Sequence, residues 1–255
     1  MKSFQEYVFD FTMEGRFLRH CAPILLISSA VASPFTIYAN ATVALVDTGS
    51  RKLLVTSQHV WGEFLRLRMG NSEARLVALL EYGRGRPCWI DDDALIDSDE
   101  QLDLAVFDAR LPTESMGAKE FFRLERLPIK DPRAGQPVFC VGFPGEARHI
   151  ESTDLHLDYC SFGVTVSAIS DSMILLANTD PRLLRNNDGV MVPPIDMGGM
   201  SGAPAYSPDR FGTFSLAGFV RAGYDSSSDI RLSKASFLQA DGKLFRPSWH
   251  PQPSS

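Results

Sequence analysis

The chain has 255 residues, 44% of them hydrophobic, and a formal net charge of −6. That is enough apolar material to bury a full core, either as one large β domain or as two small ones in contact. Phosphate binding wants a basic stripe, and basic spots such as Arg16–Arg19 are interrupted, so nucleic acid is excluded as an expected partner.

Residues 1–20 read in two ways. Ser3-x-x-Glu6 has the form of a capping box, with Phe4, Tyr7, Val8 and Phe11 on one helical face. Phe9, Phe11 and Met13 also alternate with Asp10, Thr12 and Glu14, which is strand-like. Residues 21–32 are apolar and end in Ala30-Val31-Ala32, which looks like a signal-peptidase site. The twenty residues ahead include Glu6, Asp10 and Glu14, whereas a secretory leader starts short and positive. The run is too short to span a bilayer, and no membrane partner is expected. It reads as a first buried strand, with a cleaved signal as the alternative, and residues 1–34 are expected to form an N-terminal extension packed on the body.

From residue 35 the text is one of short strands and turns. Runs at 36–46 and 52–55 flank Asp47-Thr48-Gly49-Ser50, a hairpin signal. Further strands are expected at Phe64–Leu67, Ala74–Leu80, Asp103–Phe107, Pro137–Gly142, Gly163–Ile169, Met173–Leu176, Ala203–Tyr206 and Ser215–Val220. Long helical periodicity is missing from the middle of the chain. This pattern predicts a β sandwich or barrel. Residues 111–136, with Pro112, Gly117, Pro128, Pro132 and Gly135, read as a connection between two halves. Residues 233–244 predict one short C-terminal helix stopped by Asp241-Gly242. Residues 246–255 read as a flexible tail.

The four cysteines, Cys21, Cys88, Cys140 and Cys160, form no C-x-x-C pair, which disfavours a zinc knuckle or a thioredoxin-type site. Two disulfides remain arithmetically possible. Cys140 lies in an apolar run and reads as a buried free thiol, which favours a reducing, cytoplasmic setting over a secreted or periplasmic one. The acidic run at 91–100 reads as a wet surface loop and lacks EF-hand spacing. Neither a metal nor a cofactor is expected.

Three residues carry candidate chemistry. A serine hydroxyl needs a base within hydrogen-bond reach, and the base needs a third group to fix its tautomer. His59 follows the apolar strand Leu53-Leu54-Val55 at a Thr-Ser-Gln bend, which puts its ring at a strand end. Asp103 opens an apolar strand, where a carboxylate needs a partner to offset desolvation. Ser201 lies in Gly198-Gly199-Met200-Ser201-Gly202-Ala203-Pro204, where glycines allow tight bending and close approach. The N–H groups of Gly199 and Ser201 can there converge on one oxygen as an oxyanion hole. Taken singly, each has a bland reading: a loop histidine, a solvated acid, a Gly-Ser turn.

Together the three stretches resemble the trypsin-like (chymotrypsin-fold) serine peptidase family. Thr56-Ser57-Gln58-His59 is similar to that family's Thr-Ala-Ala-His, and Leu102-Asp103-Leu104-Ala105-Val106 to its Asp-Ile-Ala-Leu strand. Gly199-Met200-Ser201-Gly202-Ala203-Pro204 is similar to its Gly-Asp-Ser-Gly-Gly-Pro. The order His, Asp, Ser matches, as do the gaps of 44 and 98 residues. Leu216–Val220 resembles the strand lining the substrate cleft, and Val138–Pro144 a Gly-Tyr/Asn-Pro turn of bacterial members.

The resemblance implies an all-β fold of two six-stranded antiparallel β-barrels, residues 35–120 and 121–245, with the active site in the cleft between them. It implies a serine endopeptidase acting on polypeptides through an acyl-enzyme. Met200 stands where digestive members carry an aspartate that pairs with a new N-terminus, and no Arg-Ile-Val-Gly-Gly site is present. Activation by N-terminal clipping is therefore not expected; the enzyme would be competent as folded or switched by a regulatory protein partner. Ala203 replaces a glycine. Val60 replaces a cysteine, so a local disulfide of secreted members is absent, which fits an intracellular or bacterial lineage. By the family's spacing Ile195 lies at the base of the specificity pocket and Gly223 at its wall, with Val220 and Arg221 along the cleft. An apolar base favours an apolar side chain before the scissile bond, and the adjacent Asp196 leaves a basic one open.

Two rivals remain. An α/β-hydrolase esterase would need G-x-S-x-G and the order Ser, Asp, His, but position 203 is alanine and only His250 follows Ser201. A catalytically silent scaffold or binding module of the same fold is the alternative from another class.

Overall fold

Strands buried on both faces make up the first half of the molecule. The computed structural model describes residues 11–28, 36–80, 87–110, 116–145, 148–151, 154–177, 198–209, 213–221 and 230–248. Helix α1 (Phe11–Leu18) leads into β1 (Cys21–Ser28), β2 (Thr36–Asp47) and β3 (Lys52–Thr56). Helix α2 (Gln58–Gly70) follows, then β4 (Ala74–Ala78), β5 (Cys88–Trp89), β6 (Leu95–Asp99) and β7 (Leu104–Asp108). These strands lie in the order β5-β4-β1-β2-β3-β7-β6, and β8 (Phe122–Arg123) adds parallel to β2. The second half holds β9 (Pro137–Gly142), a hairpin of β10 (Arg148–Glu151) and β11 (Asp154–Leu157), β12 (Cys160–Ile169), β13 (Met173–Leu176), β14 (Pro204–Pro208), β15 (Phe214–Val220) and β16 (Arg231–Lys234). There β12-β13-β16-β15-β14-β9 close into a six-stranded barrel. The molecule is thus all-β in two parts, one an open eight-stranded sheet and the other closed.

Side-chain alternation sorts the core into three layers. Along β1, Ala22, Ile24 and Leu26 face one cluster with Val43, Leu45, Leu54 and Phe107, and α2 covers it with Trp61 and Phe64. Cys21, Leu25 and Ile27 face the opposite way, into a cluster shared with Phe139, Val141, Tyr206 and Phe219 of the barrel. Val138, Cys140, Val164, Met200 and Leu232 fill the barrel interior. The middle cluster joins the halves; Phe17 of α1 stacks on Tyr206 there, ring centroids 4.4 Å apart. All four cysteines are free, and three are buried, Cys140 among them. Burial pushes the Cys21 thiol up to about 12.

Several expectations are corrected. The strand expected at Phe64–Leu67 is part of α2. Its apolar residues recur at helical spacing, with Trp61 and Phe64 buried and Leu65 and Met69 exposed. The helix expected over 233–244 is absent: Arg231–Lys234 is the barrel strand between β13 and β15, and only a 3-10 turn, Ala235–Phe237, follows. The acidic run is a wet loop only at its start: Asp91, Asp92 and Asp93 are exposed, but β6 runs through the rest and Asp99 is buried at 7%. The first sheet also extends beyond residues 35–120, taking β1 at one end and β8 at the other. Arg246 is not a frayed tail residue: it grips Asp97 through two nitrogens and Asp99 through its Nε at 2.8 Å. Of the ambiguous N-terminus, 11–18 is helical, and residues 1–10 lie outside the described residues.

Candidate active site

His59 stands in the first turn of α2, two residues after the capping position Ser57. The first amides of a helix have no intrahelical acceptor, so an acceptor from elsewhere is favoured there. Asp103 supplies it: its Oδ1 accepts the His59 backbone N–H at 3.0 Å. The same oxygen lies 2.9 Å from His59 Nδ1, and Oδ2 lies 3.1 Å from it. An ionised carboxylate only accepts, so the hydrogen of that bond sits on Nδ1 and the neutral ring leaves Nε2 as an acceptor. The Asp103 side chain is 9% exposed and the His59 side chain 40%. Asp103 adopts φ +50°, a left-handed conformation that is unfavourable for most side chains and tolerated by Asp and Asn. It immediately precedes β7, so the bend aims its carboxylate across the sheet end at α2.

The segment 198–203 is held by its carbonyls. Gly198 O accepts the Gly145 N–H, Gly199 O accepts Thr42 Oγ1–H at 3.0 Å, Met200 O accepts the Ala203 N–H at 2.8 Å, and Ser201 O accepts the Thr42 N–H at 2.9 Å. In a planar trans peptide the N–H points opposite to its carbonyl. The N–H of Gly199 therefore faces away from Gly145, and that of Ser201 away from Ala203; among the described residues neither meets an acceptor. Gly199 takes φ +92° and Gly202 φ +84°. A Cβ on Gly199 would lie 2.5 Å from Asn40 Nδ2, and one on Gly202 2.3 Å from Thr42 O. Glycine is required at both by conformation and by space. Met200 is fully buried in the barrel interior, and Ser201 is 4% exposed.

The seam between the halves ties this loop to the strand that leads to His59. Val220 O accepts both the Gly202 N–H at 2.8 Å and Ser57 Oγ–H at 3.2 Å. Thr56 Oγ1–H donates to Thr42 O at 2.8 Å. Ser233 Oγ–H donates to Leu102 O at 2.6 Å, next to Asp103. His59 and Asp103 are thus bonded directly, and the backbone around Ser201 meets Thr56 and Ser57 across the seam.

The residues expected along the substrate cleft fare differently. Val220 is buried, its N–H donates to Ala203 O within the barrel and its carbonyl accepts from Gly202 and Ser57, so it offers no free polar group to a ligand. Arg221 turns its guanidinium inward: Nε is 3.7 Å from Asp103 Oδ2, Nη2 donates to Gln101 O at 3.2 Å, and the side chain is 19% exposed. Ile195, Asp196 and Gly223 lie outside the described residues. Thr42, Asn40 and Ser57 are the contributors that sequence reasoning missed. The one signal for Thr42 is a hydroxyl inside the apolar run Ala41-Thr42-Val43-Ala44. Among the described residues no cluster of side chains could hold a metal ion.

Neither a protein-family model nor a curated protein sequence matches the chain. Among solved structures the chain is similar to the crystal structure of a thermostable serine protease, AL20, from an extremophilic microorganism, at 15% identity and a TM-score of 0.49, over 86% of this chain and 92% of that one. Backbone similarity at this level says nothing of chemistry.

Proposed function

We infer that the chain is a serine endopeptidase using His59, Asp103 and Ser201, and that it needs no N-terminal clipping. The observation that carries this reading is the pair of hydrogen bonds that the Asp103 carboxylate accepts from His59, ring and backbone, which leaves Nε2 as the base. The Gly199 and Ser201 amides of the opposite half, which meet no acceptor among the described residues, support it.

In this mechanism Nε2 takes the Ser201 hydroxyl proton as Oγ attacks the peptide carbonyl. The carbonyl oxygen becomes an anion and is received by the N–H groups of Gly199 and Ser201. The imidazolium, balanced by Asp103, gives its proton to the leaving amine, and the acyl-enzyme remains. Water, deprotonated by the same nitrogen, then releases the acid. Met200 packs into the barrel interior, so the loop is anchored by apolar contact and needs no ion pair with a released terminus. A polypeptide is the substrate in this reading, and a regulatory protein partner remains compatible with it.

A fluorophosphonate probe tests the reading. It should label the wild-type chain at Ser201 and leave Ser201→Ala and His59→Ala unlabelled. A wild-type protein that stays unlabelled and leaves a peptide library intact is the silent scaffold instead.

A further inference from the structure

Thr42 lies on β2, in the half of the molecule that does not contain Ser201. It is 0% exposed, yet all of its polar groups are used, and three of its bonds reach the other half. Its N–H donates to Ser201 O at 2.9 Å. Its Oγ1 accepts the Phe143 N–H at 3.0 Å and donates to Gly199 O at 3.0 Å. Its carbonyl accepts Thr56 Oγ1–H. The Phe143 N–H can only donate, so it takes a lone pair of the hydroxyl and leaves the hydroxyl hydrogen for Gly199 O. The direction of the bond is thereby fixed.

We propose that the Thr42 hydroxyl is a latch that holds the Gly198–Ser201 loop with the Gly199 and Ser201 amides pointing outward, a positioning residue for the reaction inferred above. Gly199 is the pivot. A glycine at φ +92° has access to several backbone conformations of similar energy. The Gly199–Met200 peptide lies between the two peptide planes that carry the Gly199 and Ser201 amides, so rotating it would swing Gly199 O off Thr42, reset ψ of Gly199 and φ of Met200, and free those two planes to shift relative to each other. The hydroxyl of Thr42 sits where Met200 and Gly142 also converge: a Cβ on Gly142 would lie 2.9 Å from Thr42 Oγ1 and 3.0 Å from Met200 Cε. The hydroxyl is therefore confined, with no room for an alternative partner. Asn40 assists one step earlier, donating to Phe143 O at 3.1 Å and so fixing the segment whose N–H the hydroxyl accepts. The latch itself follows from the bonds; only its catalytic consequence rests on the hydrolase reading.

The test compares Thr42→Val, which keeps the shape and removes the hydroxyl, with Thr42→Ser, which keeps the hydroxyl. Two quantities are read: hydrogen–deuterium exchange of a peptide covering residues 198–203, and kcat and KM on a cleaved peptide. The valine variant should exchange faster in this segment and lose kcat by roughly 10²- to 10³-fold, the range for a lost oxyanion donor, with KM within about threefold. The serine variant should restore both. A hydroxyl that merely stabilised the fold would lower thermal stability without splitting kcat from KM. If the valine variant fails to fold, Thr42→Ala reads the same two quantities. Unchanged exchange and kcat in Thr42→Val, or a serine variant as impaired as the valine, overturns the latch. A wild type with no turnover and no probe labelling, whose valine variant still exchanges faster in the loop, keeps the latch and removes the hydrolase reading.

Discussion

The two halves of the molecule equip the candidate site by different means. The open sheet contributes side chains: an imidazole and a carboxylate, brought together because the carboxylate also caps the helix that carries the imidazole. The closed barrel contributes mainly backbone: a loop whose four successive carbonyls are occupied, with the amides of Gly199, Met200 and Ser201 meeting no acceptor among the described residues. In the first case precision comes from one charged acceptor with two donors on the same residue. In the second it comes from glycines at positive φ and from neighbours too close for any Cβ. Side-chain chemistry should therefore fail through substitutions that keep shape and change protonation. Backbone chemistry should fail through substitutions that add volume.

Asp103→Asn is the sharpest way to break the first half of that comparison. Asparagine tolerates the left-handed conformation of Asp103, so the fold should survive. Its amide can donate, which favours the wrong tautomer of His59, and turnover should fall by roughly 10⁴-fold with little change in melting temperature. Turnover near the wild-type level would remove the carboxylate from the mechanism. For the second half, Gly202→Ala pushes a methyl to 2.3 Å from Thr42 O. Overpacking of this kind costs about 1–3 kcal/mol, and denaturant melts should show it together with loss of probe labelling. A stable, fully labelled Gly202→Ala variant would mean that the seam yields easily. The smallest effect belongs to the Arg246 clamp. Burial alone would raise the Asp97 carboxyl, but the Arg246 guanidinium and the Leu244 and Ser98 N–H groups outweigh it and hold the carboxyl below its ordinary value. A carboxyl held low in the folded chain adds stability above its unfolded value and loses it as pH falls through the folded one. Acidification from about pH 6 to about pH 3 should thus lower the melting temperature of wild type a few degrees more than that of Arg246→Met. Parallel decline of the two would show that the clamp contributes nothing.

The candidate site was legible where its chemistry is local. His59, Asp103 and Ser201 each sit in a short motif, and the hairpin at 47–50 was marked by its turn residues. What stayed hidden depends on partners distant in the chain. Phe64-Leu65-Arg66-Leu67 is too short a run to declare its period, and the burial of Trp61 and Phe64 with Phe107 and its neighbours marks the helical face. Arg231–Lys234 belongs to a run of good helix formers, but closing the barrel needs a strand there, and tertiary pairing decides. The Asp97–Asp99 part of the acidic stretch looked solvated because the cation that holds it, Arg246, lies 147 to 149 residues later. The role of Thr42 was out of reach for the same reason, with its acceptor 157 residues away.

Among the described residues four hydroxyls bridge the halves by donating to main-chain carbonyls: Thr42 to Gly199, Ser57 to Val220, Ser233 to Leu102 and Thr48 to Ala240. Bonds between uncharged groups attract no counter-ion atmosphere, whereas the Arg246 and Arg221 contacts do. Both arginines are largely buried, where salt screens little, and the hydroxyl stitching carries no charge, so brine should loosen the docking of sheet on barrel only slightly.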